Sequence, residues 1–343
     1  MDDPNALDAA ALAPYLENNI AGFSGLRSIE KFGHGQSNPT YLLTADSGRY
    51  VLRAKPPGRL LKSAHQVDRE FRVLRALAGS RVAVPKALHL APEDSPIGRM
   101  FYVMQFLDGR VLWDPALSEV DTNEERSGIY DAMNATLAAL HDVDVEAVGL
   151  GDFGKPGSYF ARQLSRWSGQ YRASETETIA DMDALIAWLE REMPADDGVV
   201  SLVHGDYRLD NMVFAHDRPV IVGVLDWELS TLGHPYSDLA YQCMQWRLPH
   251  TSGFRGLGGV DRAGLGIPGE TQYVERYCDR RGIGRIDNWA FYVAFSFFRL
   301  GAILQGVYKR ALDGNASNPE KARQYGQAVP LLASLAVASI DKG

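Results

Sequence analysis

Two short apolar runs in the second half of the chain each end in acidic or amide side chains. "VVSLV" (199–203) leads into "HGDYRLDN" (204–211), and "VIVGVL" (220–225) leads into "DWE" (226–228). Short apolar runs bounded by polar turn residues predict buried β-strands. Asp206, Asn211 and Asp226 would then lie on loops at strand ends, where binding and catalytic side chains are concentrated. An ordinary polar turn between two strands is the alternative interpretation.

The overall composition is that of a soluble globular enzyme. The 343 residues are 45% hydrophobic and 23% charged, with a formal net charge of -8. This charge argues against nonspecific binding to nucleic acid or to an anionic membrane. The two cysteines, Cys243 and Cys278, form no CxxC or Cys/His pattern. We therefore expect no zinc site and a reduced, cytoplasmic setting.

No segment has the sequence features of a leader or a membrane span. The N-terminus "MDDPNALDAA" is acidic, unlike a signal peptide. The apolar stretches "FYVAFSFFRLGAIL" and "AVPLLASLAVASI" are shorter than the roughly 18 to 20 residues that span a bilayer, and Arg299 interrupts the first.

The first hundred residues are rich in strand patterns. Residues 27–55 predict three strands, of which "PTYLLTA" and "RYVLRA" are joined by "DSG". Apolar residues recur at helical spacing in "HQVDREFRVLRALAG", and Gly79 is a plausible end for that helix. "AVPKALHL" and "MFYVMQFLDG" then predict two more strands. The expected order is three strands, one helix and two strands.

From about residue 107 helical patterns dominate. "IYDAMNATLAALHDVD", "YFARQLSRWSGQY" and "MDALIAWLEREM" predict three amphipathic helices, and "NWAFYVAFSFFRLGAILQGVYKRAL" predicts a long apolar one after a glycine-rich stretch (253–269). The sequence therefore predicts an α+β protein with a small β-rich N-terminal lobe (1–106) and a larger, mainly helical C-terminal lobe (107–343).

The polar loop has the spacing of a phosphotransfer loop. Asp206 and Asn211 match D-x-x-x-x-N, with Gly205 where kinases have arginine, and Asp226 stands where the Asp of D-F-G stands. Mg²⁺ prefers hard oxygen ligands such as an amide and a carboxylate, here Asn211 and Asp226. Asp206 can accept the proton of an acceptor hydroxyl, and the Arg208 cation could meet the transferred phosphoryl group.

The pattern H-G-D-x-x-x-x-N followed by D-W-E resembles the aminoglycoside phosphotransferase and choline kinase-like superfamily. "FGHGQSNPTYLL", "VLDWELSTLGHPYSDLAY" and "FRLGAILQGVY" look most similar to the phosphotransferase domain associated with acyl-CoA dehydrogenases. This resemblance covers most of the chain. It implies a bilobal protein-kinase-like fold in which lobe 1–106 binds nucleotide and lobe 107–343 holds the catalytic and acceptor-binding groups. It also implies ATP and Mg²⁺ as cofactors, Asp206 as the base, and His204 as a support for the loop.

The resemblance also implies a set of nucleotide-binding residues. In "GHGQSN" the backbone would cover the phosphates, with side-chain hydrogen bonds from the last two residues; the site residues here are Gly33, Gly35, Ser37 and Asn38. Arg53 takes the position of the kinase lysine, although Lys55 on the same strand face stays open. Its expected partner is Glu70. Backbone groups from Gln105 to Leu107 would bind adenine.

Several further polar residues admit two interpretations. Asp238 would hold the Asp206 loop by hydrogen bonds. His141 would be a helix-end residue near the carbonyl dipole. Glu228 would contact a second Mg²⁺ or pair nearby. Arg299 requires a partner because an unpaired buried charge is costly, so we expect either a structural ion pair or an anionic group of the substrate.

The predicted function is transfer of the γ-phosphoryl group of ATP to a substrate hydroxyl. The resemblance to the phosphotransferase domain associated with acyl-CoA dehydrogenases implies a hydroxyacyl compound or its CoA thioester as the acceptor. Segments 158–171 and 292–310 contain basic and aromatic residues but no acid, which favours an anionic or acyl-linked acceptor over an aminoglycoside. The alternatives are an aminoglycoside-type antibiotic kinase and a non-catalytic nucleotide-binding module. An acyl-CoA dehydrogenase encoded nearby is a possible partner; nucleic acid and membrane partners are not expected.

Overall fold

The computed structural model describes residues 7–33, 38–58, 65–251, 254–314 and 319–340. These residues form nine α-helices: α1 (Ala9–Asn19), α2 (Val67–Ala76), α3 (Asn123–His141), α4 (Tyr159–Ser174), α5 (Ala180–Arg191), α6 (Tyr236–Cys243), α7 (Glu270–Arg281), α8 (Trp289–Leu312) and α9 (Pro319–Ile340). They also form nine strands: β1 (Leu26–Lys31), β2 (Thr40–Ala45), β3 (Gly48–Ala54), β4 (Ala87–Ala91), β5 (Phe101–Gln105), β6 (Ser201–Val203), β7 (Met212–Phe214), β8 (Ile221–Val224) and β9 (Thr231–Gly233).

The chain divides into two compact units. The first comprises Met1–Val111, Ala147–Leu150 and Asn211–Ser230, and the second comprises the remaining segments. A boundary after residue 106 would leave 211–230 with the second lobe. Backbone hydrogen bonds join this segment to the first unit instead, from Val224 N to Ala83 O (2.8 Å) and from Arg110 N to Phe214 O (2.7 Å). The functional division of the chain into two lobes stays a prediction.

The first unit is built on a five-stranded antiparallel sheet in the order β1-β2-β3-β5-β4. The predicted sequence of three strands, one helix and two strands is therefore confirmed. Along β2 every second side chain is buried, as expected for a strand with one face on a core. Leu12 and Leu16 of α1, a helix that the sequence analysis missed, join Leu43 and Leu52 in this core.

Helix α2 carries a charged residue into the apolar interior. Val67, Phe71 and Leu74 are buried at helical spacing. Glu70 lies among them and is only 1% exposed. A buried carboxylate requires charged or hydrogen-bonding partners, and these form the centre of the first unit's polar cluster.

The second unit is mainly helical around α8. This helix packs against α4, α5, α6 and α9, and most of its first half is buried. It has 24 residues, longer than the apolar stretch expected from the sequence, and by length and hydropathy it could cross a membrane. However, 72% of its most apolar window is buried inside the protein, which is typical of a core helix. A β-rich unit and a helical unit together confirm the predicted α+β class.

Candidate active site

The loop that follows β6 is anchored by one buried carboxylate. Asp238, on the first turn of α6, is 0% exposed. Its oxygens accept hydrogen bonds from the backbone N–H groups of His204 (2.6 Å) and Gly205 (2.8 Å). Burial alone would raise the pKa of Asp238, but hydrogen bonds from His141 and the backbone hold it below its ordinary value. The expectation that Asp238 fixes the Asp206 loop is confirmed.

The remaining backbone groups next to Asp206 are also bound. The Asp206 N–H donates to His204 Nδ1 (3.2 Å), so His204 supports the loop from within. The Gly205 carbonyl accepts a hydrogen bond from Arg299 Nη2 (2.8 Å). Gly205 has φ +85°, a left-handed conformation that residues with a side chain rarely adopt, which explains glycine at this position. The loop thus presents Asp206 on a well-restrained backbone.

The Asp206 carboxylate has a different contact at each oxygen. Oδ1 accepts a hydrogen bond from the Tyr241 hydroxyl (2.7 Å). Oδ2 lies 3.4 Å from Nε of Arg208, whose Nη2 lies 3.0 Å from Asp210 Oδ2. Burial raises the pKa of Tyr241, and the Asp206 carboxylate raises it further. Tyr241 is therefore a neutral donor at physiological pH, and the sequence analysis did not identify it.

Arg299 packs against this loop through its hydrogen bond to Gly205 O. The structural ion pair that was one of the two expectations for Arg299 is not found among the described residues. Arg299 is 8% exposed. Its guanidinium carbon lies 6.0 Å from the ring centroid of Trp167 and 5.6 Å from that of Tyr241. No carboxylate in the described part of the chain lies within ion-pair distance of it. A carbonyl dipole and two aromatic faces therefore accommodate this cation.

His141 is a second residue whose surroundings differ from expectation. It ends α3 as predicted, but it is buried, with Nδ1 2.7 Å from the Tyr277 hydroxyl and Nε2 3.4 Å from Asp238 Oδ2. Burial lowers the pKa of His141, so it is a neutral partner of Asp238 and not a cation at a helix dipole. Its contact with Asp238 extends the support of the loop.

In the first unit Arg53 is surrounded by three carboxylates. Its Nε lies 2.9 Å from Glu70 Oε2, and its Nη2 lies 2.7 Å from Asp226 Oδ1 and 3.4 Å from Glu228 Oε2. The expected Arg53–Glu70 pair is therefore present. Lys55 instead pairs with Glu93 at 2.5 Å. This geometry favours Arg53 over Lys55 as the basic residue near Asp226.

One arginine does not neutralise three acids. Burial raises the pKa of Glu70 to about 7; Asp226 and Glu228 add to the rise, and Arg53 opposes it. The same carboxylates raise the pKa of Arg53 despite its burial, so the guanidinium stays charged. With all three acids ionised the cluster has two excess negative charges, a surplus that a divalent cation would neutralise.

Asn211 and Asp226 lie at the same end of the β7–β8 pair. Met212 is opposite Val224, and Leu225 N donates to Asn211 O (2.8 Å). Asp226 has φ +63°, an uncommon left-handed conformation for a residue other than glycine, and such strain is typical of functional sites.

This pair of side chains provides the hard oxygen donors that suit Mg²⁺. No group of three or more His, Cys, Asp or Glu side chains within the described ranges could enclose a metal ion. Mg²⁺ commonly binds through one or two protein ligands plus substrate phosphates and water, so the donor set fits it.

The expected phosphate loop is described only at its ends. Gly35 and Ser37 lie outside the described residues, and Gly33 is an exposed bend. Asn38 is buried, with Nδ2 2.8 Å from Glu70 Oε1 and Oδ1 2.9 Å from His65 Nδ1. Its amide thus positions Glu70 in this structure, and direct contact with phosphate stays a prediction.

The expected adenine-binding segment begins at Gln105, the last residue of β5. The Gln105 N–H donates to Lys86 O (2.9 Å), so this group is already bound to the segment that leads into β4. Leu107 packs against Gly223 so closely that a β-carbon at position 223 would lie 2.1 Å from Leu107 Cδ1 and collide with it. The contact of Gln105 and Leu107 with a nucleotide stays a prediction.

Comparison with known proteins identifies the family. The sequence profile of the phosphotransferase enzyme family matches residues 28–273. The chain belongs to this family. The resemblance recognised in the sequence is therefore confirmed, and so is the expected enzyme class, a phosphotransferase acting on an alcohol group.

Two similar proteins are each 46% identical to this chain. A mouse protein named acyl-CoA dehydrogenase family member 10 is 46% identical over 333 residues, which is 96% of this chain and 31% of that protein. The phosphotransferase chain thus spans about a third of this relative. A solved structure from Ralstonia eutropha, provisionally named an aminoglycoside phosphotransferase, is 46% identical with a TM-score of 0.89 and covers 98% of this chain and 99% of its own.

A structure with much lower sequence identity has the same fold. A spectinomycin phosphotransferase, solved with ADP and spectinomycin, has a TM-score of 0.66 at 13% identity and covers 98% of this chain and 99% of its own. This likeness shows the fold alone. The kinase-like fold implied by the sequence is confirmed, and this fold supports a small-molecule kinase.

Proposed function

We propose that this phosphotransferase transfers the γ-phosphoryl group of ATP to the hydroxyl of a hydroxyacyl compound or its CoA thioester. The observation that carries the proposal is Asp206, held on a loop whose neighbouring backbone groups are bound by Asp238, His204 and Arg299. A fixed carboxylate of this kind is what deprotonation of an acceptor hydroxyl requires. The family supports phosphoryl transfer as the reaction.

The first unit carries the groups proposed to bind the nucleotide. Arg53 can donate to phosphate oxygens in a bidentate way, and Glu70 holds its side chain. The same-fold spectinomycin phosphotransferase was solved with ADP, which supports an adenine nucleotide as the donor. Gly33, Gly35, Ser37, Asn38 and backbone groups at Gln105 and Leu107 complete the proposed nucleotide site.

We propose Asn211 and Asp226 as the protein ligands of Mg²⁺. When bound, this ion neutralises the β- and γ-phosphate oxygens. The excess negative charge around Arg53 supports the presence of a divalent cation. Arg208 is the proposed cation for the transferred phosphoryl group; in the structure it lies near Asp206 and Asp210.

The surroundings of Asp206 in the second unit support an anionic or acyl-linked acceptor. Arg299, Trp167 and Tyr241 supply one cation and two aromatic rings behind the loop. Polycationic antibiotics would instead require carboxylates for charge complementarity. The name of the mouse relative suggests a link with acyl-CoA chemistry, and we propose an acyl-CoA dehydrogenase as a functional partner. A cytoplasmic location is also proposed.

The test is ADP formation by the wild-type protein with Mg-ATP and a panel of acceptors. The panel contains free hydroxy acids and hydroxyacyl-CoA esters with the hydroxyl at several chain positions, together with kanamycin and spectinomycin. We expect turnover of at least one hydroxyacyl compound, and its loss in Asp206→Ala.

Each alternative gives a distinct result in this assay. Efficient phosphorylation of kanamycin without turnover of any hydroxyacyl compound would refute the acceptor class while leaving the kinase intact. Binding of Mg-ATP in a thermal-shift scan with no turnover of any acceptor would support the non-catalytic nucleotide-binding module.

A further inference from the structure

Helix α6 contacts the loop that carries the proposed base at two positions one turn apart. Asp238 and Tyr241 are three residues apart and therefore lie on the same face of this helix. Asp238 binds the backbone of the loop at His204 and Gly205. Tyr241 binds the Asp206 side chain itself, with its hydroxyl 2.7 Å from Oδ1. The contacts of Asp238 restrain the backbone that leads into Asp206, and the contact of Tyr241 restrains the orientation of the Asp206 carboxylate.

The Tyr241 ring is itself held by the Arg299 cation. The guanidinium carbon lies 5.6 Å from the ring centroid, within the range of a cation–π contact. The same guanidinium donates to Gly205 O, in the peptide group that precedes Asp206. Arg299 from α8 and Tyr241 from α6 therefore form one connected support.

Within its own unit, Asp206 faces a small set of polar and charged groups. Arg208 lies 3.4 Å from Oδ2, and Asp210 pairs with Arg208. Tyr241 is the neutral member of this set, and its hydroxyl donates a hydrogen bond to Oδ1. A carboxylate has two oxygens and about four acceptor positions in all, and the Tyr241 hydroxyl occupies one position on Oδ1.

We propose that Tyr241 is a positioning residue that binds Oδ1 of Asp206 and thereby directs Oδ2 toward the acceptor hydroxyl. This inference rests on the proposed kinase function and adds to it which oxygen acts as the base. The acceptor O–H proton moves to Oδ2 as the acceptor oxygen forms a bond to the γ-phosphorus. The bond from that phosphorus to the bridging oxygen of ADP breaks, and ADP leaves with the electron pair.

The substitution Tyr241→Phe removes only the hydroxyl and keeps the ring over which Arg299 lies. One hydrogen bond to a charged group and the orientation that it enforces correspond to a loss of about 10- to 100-fold in kcat. The KM for ATP should be unchanged, because the groups proposed for the nucleotide lie elsewhere in the chain. The substrate is whichever hydroxyacyl compound the wild type turns over.

Tyr130→Phe is the matched control. The Tyr130 hydroxyl is buried in the same unit and donates to the Pro115 carbonyl at 2.6 Å, so this variant also loses one buried hydrogen bond. It should lose thermal stability comparable to that lost by Tyr241→Phe while keeping wild-type kcat. A general effect of losing a buried tyrosine hydroxyl would reduce kcat in both variants.

The decisive experiment is a double-mutant cycle with Asp206→Ala. If Tyr241 acts through Asp206, adding Tyr241→Phe to Asp206→Ala lowers the residual turnover no further. The inference is overturned if Tyr241→Phe leaves wild-type kcat unchanged, or if its effect has the same size in both backgrounds. Failure of the kinase proposal looks different, since the wild type would then turn over no acceptor, or Asp206→Ala would keep normal turnover.

Discussion

The substitution Asp238→Asn tests how the catalytic loop is held. The carboxylate of Asp238 accepts two backbone N–H groups and lies near His141 Nε2. An asparagine of the same shape would direct its NH₂ group toward one of the two N–H donors. One charge-assisted hydrogen bond, worth about 1.5 to 3 kcal/mol, would be lost, and one buried N–H would be left unsatisfied at about 1 to 3 kcal/mol.

The expected result is a fall of roughly 3 to 5 kcal/mol in the free energy of unfolding, with a large loss of turnover. Displacement of the loop by about 1 Å is enough to reduce kcat by about 10²-fold. The assays are urea unfolding, steady-state kinetics and amide hydrogen exchange. The Gly205 amide should lose protection because it is one of the two donors that Asp238 binds.

Asp183→Asn is the control for removal of an aspartate charge. Asp183 forms an ion pair with Arg172 in which both side chains are well exposed, so its loss should change stability by less than about 1 kcal/mol. A change of less than about 1 kcal/mol in Asp238→Asn as well, with the Gly205 amide still protected, would show that the loop is held by other contacts.

Three further predictions concern the charged side chains of the two units. Asp206→Asn should lower kcat by about 10²- to 10⁴-fold while leaving Mg-ATP affinity in calorimetry nearly unchanged, and near-normal turnover would contradict its role as base. Arg53→Ala should raise the KM for ATP more than Lys55→Ala does, because Lys55 pairs with Glu93; the reverse order would move the phosphate contact to Lys55. Glu70 has a pKa raised from 4.5 to about 7, so the stability of the nucleotide-free protein should fall by up to about 3 kcal/mol between pH 4.5 and 7. Urea unfolding against pH checks this, and Glu70→Gln should flatten the curve.

Local sequence patterns predicted the parts of the structure that depend on neighbouring residues. Period-two alternation in β2 and helical spacing in α2 placed the main elements of the first unit. The spacing of Asp206 and Asn211, together with Asp226 after a second strand, identified the family. The strand alternation, the helical spacing and the D-x-x-x-x-N pattern were readable because the residues that form each of them lie within a few positions of one another.

Most contacts that restrain Asp206 could not be predicted from the sequence, because they join residues that are far apart in the chain. Tyr241 reaches Asp206 from 35 residues away, and Arg299 reaches Gly205 from 94 residues away. Nothing near Tyr241 in the sequence indicates a partner for its hydroxyl. Asp238 was found only because it belongs to a motif recognised from the family, and the position of His141 at a helix end did not indicate its burial or its contact with Asp238.

The buried cation at Arg299 connects the support of the loop with the choice of acceptor. A buried ion pair would have neutralised Arg299, yet its resolved partners are a carbonyl oxygen and two aromatic rings. These partners stabilise a cation without cancelling its charge, so Arg299 keeps its positive charge next to the Asp206 loop. A polycationic antibiotic would be repelled there, whereas an acceptor with a carboxylate or a polarised thioester carbonyl would be attracted. Arg299→Met should therefore reduce turnover of an anionic hydroxy acid more than turnover of its neutral amide, measured as the ratio of kcat/KM for the two compounds. Equal losses for both compounds would confine Arg299 to holding the Gly205 carbonyl.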